Sequence, residues 1–124
     1  MKLLFVCVGN SCRSQMAEAI ANDLGYDAKS AGTKPGISVS KDAVLVLNEL
    51  GIETSNLFPK NVDNFDPTDF DMIISMGCGV ECPTIPIDQD WGLDDPFGRD
   101  LYFFRGIRDK IVHLISGLPN QTDA

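Results

Sequence analysis

Apolar positions along the chain form two kinds of pattern, short continuous runs and stripes with helical spacing. The run over residues 2–8 (KLLFVCV) is typical of a buried strand, and residues 14–24 that follow it have the spacing of an amphipathic helix. The same alternation recurs to the end of the chain. The predicted strands are 2–8, 27–31, 70–76 and 84–87, and the predicted helices are 14–24, 41–50 and 100–116. Strands that alternate with helices predict an α/β fold, a three-layer αβα arrangement around a four-stranded parallel sheet.

Two of the predicted helices have recognisable ends and a predicted buried face. Ser40 can cap the helix 41–50, in which Val44, Leu47 and Leu50 would be buried before the stop at Gly51. The buried positions predicted in the last helix are Leu101, Phe104, Ile107, Ile111, Leu114 and Ile115. The polar residues 119–124 are expected to fray. We expect residues 1–124 to form a single domain.

The charge balance limits the classes of function. The 124 residues include 18 acidic and 10 basic side chains, for a net charge of -8, and no basic cluster. This predicts no binding of nucleic acid, and an anionic substrate would need local donors to hold it. The first apolar run is too short for a signal-peptide core or a membrane span, so we expect a cytoplasmic monomer without membrane contact. In a reducing compartment the four cysteines indicate catalytic, redox-active or buried thiols rather than structural disulfides.

The stretch CVGNSCRS (residues 7–14) follows the first strand and opens the first helix, a position that suits anion chemistry. A helix N-terminus favours the thiolate form of Cys7, and Gly9 and Asn10 suit a loop whose N–H groups converge. Arg13 can return its guanidinium over such a pocket and bind two oxygens of a tetrahedral oxyanion. The predicted substrate-binding residues are Val8, Gly9, Asn10, Ser11, Cys12, Arg13 and Ser14. A buried cysteine beside a surface arginine is the alternative for an isolated C-x5-R motif.

Two further cysteines, Cys78 and Cys82, are separated by three residues. In a helix their Cα atoms would lie about 6 Å apart on one face, close enough for a disulfide after modest distortion. The alternatives are two buried thiols, half of a metal site, or an unconnected pair. Zinc usually takes four Cys or His ligands, and His113, the only histidine, is predicted to lie on the surface of the last helix. We therefore predict no metal site.

The run CVGNSCRSQMAE (residues 7–18) resembles the phosphate-binding loop of the low-molecular-weight protein tyrosine phosphatase superfamily, in the version of its arsenate reductase branch. Residues 30–32 (SAG) and 91–96 (WGLDDP) also resemble that branch, and the resemblance covers nearly the whole chain. It implies the phosphatase-like fold, with Cys7 as nucleophile and Arg13 as oxyanion clamp. Asp95, before Pro96, would be the general acid, with Asp94 as its competitor.

The resemblance also implies reduction of arsenate, for which phosphate and sulfate are analogues. Cys7 would attack arsenate, Cys78 would attack the arseno-cysteine and release arsenite, and Cys82 would resolve the resulting disulfide. Thioredoxin is the expected reductant, and a weak phosphatase activity is expected besides. The chain departs from the pattern in one respect, because relatives often place six residues between the last two cysteines.

Cys12 and a cation site are the remaining features that the resemblance raises. Cys12 would be a packing residue, or the partner of Cys7 in a protective disulfide under oxidants. Some reductases of the family bind potassium beside the loop, and Asn10, Glu18 and Ser30 match part of that site. Other expected ligands fall near Phe58 and Lys60. Because the Lys60 ammonium could replace the ion, we expect neither bound potassium nor another tightly bound cofactor.

Three other functions use part of the same pattern. A low-molecular-weight protein tyrosine phosphatase would need Cys7, Arg13 and Asp95 but neither Cys78 nor Cys82, and Phe97 gives it weak support. A phosphocysteine carrier of the sugar phosphotransferase type would need neither Arg13 nor Asp95. A thiol redox sensor would explain the cysteines without any oxyanion clamp.

Overall fold

The computed structural model describes residues 1–77 and 85–119. A four-stranded parallel sheet lies at the centre, with the strand order β2-β1-β3-β4. The strands are β1 (Lys2–Cys7), β2 (Asp27–Gly32), β3 (Met72–Ser75) and β4 (Gln89–Asp90). The helices are α1 (Arg13–Asp23), α2 (Lys41–Asn48) and α3 (Leu101–Ser116). The predicted fold class, a four-stranded parallel sheet with helices, is confirmed.

The two faces of the sheet are covered differently. Alternate residues of β1 point to opposite faces, so Leu3 and Phe5 pack with all three helices, whereas Leu4 and Val6 face the other side. On that second side the described residues include two short 3₁₀ turns, Val62–Asn64 and Pro67–Asp69, with Val62 buried against the sheet. None of the helices in the two described ranges is long and apolar enough to cross a bilayer.

The predicted strand 84–87 is wrong for its described residues, 85–87, because pairing with β3 begins later. Asp88 donates its N–H to the Ile73 carbonyl (2.8 Å) and accepts from the Ile73 N–H through its carboxylate (2.7 Å), and β4 follows at Gln89–Asp90. Pro86 has no N–H for a ladder. Ile85 and Ile87 still pack, partly buried, against the second face. The strand predicted at 70–76 is shorter, at Met72–Ser75.

Helix α2 begins as predicted, but its buried face is different. The Ser40 hydroxyl accepts a hydrogen bond from the Ala43 N–H, as the capping prediction requires. The helix ends at Asn48, so Leu50 lies beyond it and is 47% exposed. Val44 is only partly buried, and the buried residues are Ala43, Val46 and Leu47. The predicted stripe is therefore correct only at Leu47.

Helix α3 completes the main core, and an ion pair joins it to the end of α2. Asp100 caps it by accepting from the Phe103 N–H. Its core side chains include Phe104, Ile107, Ile111 and Ile115, while the predicted Leu101 and Leu114 are partly buried. Arg108 is also buried there and donates to the Val46 carbonyl and to Glu49 of the α2 C-cap. The predicted frayed end lies outside the described residues apart from Pro119.

Candidate active site

Cys7 ends β1, and the loop over residues 8–12 leads from it into α1. Cys7 is only 3% exposed. Its sulfur has two polar neighbours. The Ser14 hydroxyl lies 2.8 Å from Sγ, and the Asn10 N–H donates to Sγ across 3.2 Å. Both contacts stabilise a negative charge on the sulfur, as does the N-terminus of α1. The geometry therefore suits a thiolate nucleophile.

The loop from Cys7 to Arg13, called here the C-x5-R loop, is shaped by Asn10. In the described chain Asn10 is the single residue other than glycine with a positive φ (50°), and it is fully buried. Its side-chain amide donates to the hydroxyls of Ser14 (2.8 Å) and Ser30 (2.9 Å). Within the described residues the N–H groups of Ser11 and Cys12 have no acceptor. These two groups remain available to a bound oxyanion, as expected for an anion nest.

Arg13 links the C-x5-R loop to two neighbouring segments. Its Nη1 donates to the carbonyl of Met76 (2.9 Å), just after β3, and to that of Leu93 (2.7 Å). Its Nη2 lies 4.0 Å from Asp95 Oδ2, and the side chain is 11% exposed. One end of the guanidinium is thus anchored to the backbone. The other end is free to meet an oxyanion beside a carboxyl group.

The two candidate acids occupy different places in the acid segment (residues 91–96). Asp95 is exposed, faces Arg13, and accepts the Phe97 N–H through Oδ1 (3.0 Å). Asp94 instead lines a cavity of about 510 Å³ between the acid segment and α3, together with Trp91 and His113. The geometry therefore supports Asp95 over Asp94 as the group that can deliver a proton beside Arg13. His113 is exposed, as predicted.

The predicted residues do not all fall within the described ranges. Cys7, Arg13 and Asp95 do, and the contacts above bring the last two together. Cys78 and Cys82 lie outside the described residues. Met76, the residue that Arg13 holds, is two positions before Cys78 in the sequence. Among the side chains of the two described ranges, no three His, Cys, Asp or Glu residues are grouped so as to hold a metal ion.

Cys12 is buried within the C-x5-R loop, with 3% of its surface exposed. Burial raises the pKa of the Cys12 thiol above its usual value of 9.0. Hydrogen bonds from Ser11 and Ser40 act in the opposite direction, whereas the negative charges of Asp95 and Cys7 add to the rise. Burial of Cys12 therefore favours its neutral thiol form.

A buried polar network supports the loop from behind, and it contains one residue that the sequence reasoning missed. The Lys60 ammonium lies 3.2 Å from Glu18 Oε1 and donates to the Phe58 carbonyl (2.7 Å). Glu18 also accepts from the Ser30 hydroxyl. The missed residue is Gln15, which is fully buried next to Asn10. Gln15 lies on the side of α1 opposite its apolar positions, so helical spacing did not indicate its burial; α1 is buried on all sides over residues 14–21.

Comparisons with known proteins identify the family of the chain. Residues 2–82 match the family model of the low molecular weight phosphotyrosine protein phosphatases. A glutaredoxin arsenate reductase of Synechocystis sp. is 40% identical over 125 residues, covering 94% of this chain and 95% of its own. An arsenate reductase of Staphylococcus aureus (strain Newman) is 33% identical over 127 residues, covering 96% of both chains.

A solved structure gives the same result for the fold. An arsenate reductase in its phosphate-binding state superposes with a TM-score of 0.84 at 38% identity, over 93% of both chains. The matched family region contains the whole C-x5-R loop, and the relatives extend the similarity through the acid segment to α3. The chain therefore belongs to the low molecular weight phosphotyrosine protein phosphatase family, as its sequence motifs predicted.

Proposed function

We propose that this protein reduces arsenate to arsenite, with Cys7 as the nucleophile. The observation that carries the proposal is the Cys7 sulfur held by Ser14 and Asn10 at the start of a loop that ends in Arg13. A thiolate in that place can attack a tetrahedral oxyanion held by Arg13 and the free N–H groups of the loop. The names of the arsenate reductases that resemble this chain support arsenate as the oxyanion.

The first step forms a bond between Cys7 Sγ and arsenic and breaks one arsenic–oxygen bond. The departing oxygen takes a proton from Asp95 and leaves as water. Arg13 and the N–H groups of Ser11 and Cys12 hold the remaining oxygens while the charge redistributes. Arsenic stays pentavalent in this step, so the C-x5-R loop alone performs no reduction.

The reduction requires two more thiols, which we assign to Cys78 and Cys82. The Cys78 thiolate attacks Cys7 Sγ, a disulfide forms, and the electron pair of the sulfur–arsenic bond leaves with arsenic as trivalent arsenite. Cys82 then attacks Cys78, which frees the Cys7 thiolate and leaves a Cys78–Cys82 disulfide. An external dithiol returns the two electrons. The anchoring of Met76 by Arg13 supports this assignment, because it holds the chain just ahead of Cys78 against the reacting loop.

The electron donor is proposed to be thioredoxin, and the reaction to take place in the cytoplasm, where thiols are kept reduced. The test is arsenate-dependent oxidation of NADPH, coupled through thioredoxin and thioredoxin reductase. A parallel assay couples glutathione, glutaredoxin and glutathione reductase, because one relative is named a glutaredoxin arsenate reductase. Turnover with thioredoxin supports our donor, and turnover with glutaredoxin alone contradicts it.

Variants of the three cysteines test the sulfur relay itself. Cys7→Ser should abolish all turnover, and Cys82→Ser should allow one turnover of arsenite release but no cycling. If Cys82→Ser cycles at the wild-type rate with thioredoxin, the relay is wrong. Cys12→Ser is the matched control, because the buried Cys12 thiol has no part in the proposed sulfur relay and the substitution keeps the backbone N–H that binds the oxyanion.

Phosphatase activity is the second candidate function, and the family match favours it directly. The same three groups, Cys7, Arg13 and Asp95, can transfer a phosphoryl group to sulfur and then to water. Phe97, which is 74% exposed two residues after Asp95, offers an apolar surface to an aryl ester. Efficient hydrolysis of an aryl phosphate without any arsenate turnover would establish this function in place of the reductase.

We further propose that the protein uses the Lys60 ammonium where some relatives hold potassium. Two oxygens that an ion would need, Glu18 Oε1 and the Phe58 carbonyl, already contact Lys60 Nζ. The ammonium also lies 4.4 Å from the centre of the Phe58 ring, a cation–π contact. A potassium ion does not fit this donor set while the ammonium is in place.

A further inference from the structure

Gln15 is a polar residue in a position that packing alone would fill with an apolar one. It lies in the first turn of α1, is fully buried, and directs its amide nitrogen at three carbonyl-type oxygens. Nε2 donates to Asn10 O (3.0 Å), Asn10 Oδ1 (3.0 Å) and Phe58 O (2.8 Å). At the other end, Gln15 Oε1 is buried without a hydrogen-bond partner among the described residues. The hydrogen bonds that Nε2 donates therefore fix the orientation of the amide.

The unpaired oxygen makes the amide costly to the fold. A buried carbonyl oxygen that gives up water without gaining a donor lowers stability, and an apolar side chain of equal size would avoid that loss. The contacts of Nε2 are therefore the feature that needs an explanation. Two of the three contacts go to one residue, Asn10.

Asn10 is the residue whose conformation gives the C-x5-R loop its shape. Its N–H reaches Cys7 Sγ, and its backbone lies in the left-handed region that most side chains avoid. In a planar trans peptide the carbonyl of Asn10 and the N–H of Ser11 point in opposite directions. When Gln15 holds the carbonyl on its own side, the Ser11 N–H is directed away from Gln15, and it has no acceptor in the described chain.

We propose that Gln15 is a positioning residue that prevents the Asn10–Ser11 peptide from rotating, so that the Ser11 N–H stays available to the bound oxyanion. Its second hydrogen bond set, to Asn10 Oδ1 and Phe58 O, ties the loop to the segment that carries Lys60. The proposal rests on oxyanion binding at Cys7 under the proposed function. It is independent of Cys78 and Cys82, because any chemistry at the loop needs the same donor.

The test compares Gln15→Met with the wild type in binding inorganic phosphate, measured by protection of Cys7 from alkylation. Methionine has nearly the same volume but neither the donor nor the unpaired oxygen. We expect phosphate affinity to fall about tenfold, the loss typical of one hydrogen bond to a charged group, whatever the change in the thermal unfolding midpoint. A purely structural role predicts a lower midpoint with unchanged affinity. Affinity within twofold of wild type overturns the proposal.

Two further variants keep the test decisive. Ile20→Val, a buried change on the same helix that leaves the loop contacts intact, should lower the midpoint and leave phosphate affinity unchanged. Gln15→Glu serves if Gln15→Met does not fold, since it keeps the shape. Its affinity relative to wild type should be low at neutral pH and recover as the pH falls, because only the protonated carboxyl can donate. A constant ratio across pH overturns the proposal.

The outcomes also separate this inference from the proposed function. If the wild type binds phosphate but never reduces arsenate, the reductase proposal fails while the role of Gln15 stands on the affinity data. If arsenate is reduced and Gln15→Met binds phosphate normally, only the role of Gln15 fails. A wild type that binds no phosphate overturns both.

Discussion

Arg13 Nη2 lies 4.0 Å from Asp95 Oδ2, while Arg13 Nη1 holds the carbonyl of Leu93, two residues before that carboxyl group. The Arg13 guanidinium therefore faces the proposed oxyanion site with Nη2 and holds the acid segment with Nη1. Asp95 itself is 58% exposed in its side chain, and its other contact in the described chain is the Phe97 N–H, 3.0 Å from Oδ1. Arg13 therefore helps to position Asp95, the proposed acid, beside the C-x5-R loop.

Asp95→Asn should lower kcat for aryl phosphate hydrolysis by about 10²- to 10⁴-fold, the range expected for loss of a general acid. The loss should be smaller for esters with good leaving groups, which need no proton. Asp94→Asn is the matched control, because Asp94 faces the cavity beside α3, and its kcat should stay near that of the wild type. Equal losses in the two variants would show that the acid is wrongly assigned.

Lys60 and Glu18 form a buried ion pair, with side chains 9% and 8% exposed. Lys60→Met leaves the Glu18 carboxylate without its partner, and we expect the free energy of unfolding to fall by about 3–5 kcal/mol. The double variant Glu18→Gln with Lys60→Met should recover part of that loss. Urea denaturation of the wild type, Lys60→Met, Glu18→Gln and the double variant measures the coupling, and strictly additive losses would contradict it.

The same ion pair predicts how the thermal unfolding midpoint responds to potassium. The wild type should unfold at the same midpoint in potassium chloride and sodium chloride of equal ionic strength, because the ammonium uses the oxygens that an ion needs. Lys60→Ala empties that space and should gain a potassium-specific rise in midpoint. Strong stabilisation of the wild type by potassium over sodium would refute the replacement of the ion by Lys60.

Local signals predicted the elements on either side of the C-x5-R loop well. Residues 2–8 and 14–24 match β1 and α1 within one or two residues, and Asn10 in the C-x5-R loop between them has the left-handed conformation that was predicted for it. These features depend on neighbours in sequence, so a pattern of eight residues is enough to predict them. Cys78 and Cys82, the other half of the proposed chemistry, remain a prediction.

The contacts that support the loop could not be predicted in the same way. Gln15 meets Phe58 because residues 60 and 61 pair with Gly32 at the end of β2. Arg13 meets Met76 because β3 pairs with β1, and it meets Leu93 in the segment that follows β4. An alternation of apolar and polar residues specifies strand register, and the continuous apolar runs of strands buried on both faces lack that alternation. The misplaced fourth strand has the same cause, since pairing starts at Asp88 rather than within the apolar run.

The contacts of Glu49 with two arginines, between α2 and α3, predict that the free energy of unfolding depends on pH in the acid range. Hydrogen bonds from Arg105, helped by the charges of Arg105 and Arg108, hold the pKa of Glu49 below its usual value of 4.5. Its ionised form therefore stabilises the fold above pH 4.5, and that contribution is lost as the pH falls through the folded pKa. The difference in unfolding free energy between wild type and Glu49→Gln should shrink on acidification. Asp27→Asn, at the exposed start of β2, serves as the control.

The C-x5-R loop packs so closely against Gly32 of β2 that a larger residue there should displace the loop. A Cβ at Gly32 would lie 2.5 Å from the Val8 carbonyl oxygen and 3.0 Å from Asn10 Cβ, so one of these must move. Gly32→Ala should therefore displace Asn10, cost about 1–3 kcal/mol of stability and lower kcat/KM for aryl phosphate. Gly36→Ala is the matched control, because its Cβ would meet only the Gly9 carbonyl oxygen, at 3.8 Å. Since Gly36 contacts the same loop without crowding it, its variant should keep activity and stability near wild type. Equal activity in the two variants would mean that the loop holds its shape without close support from β2.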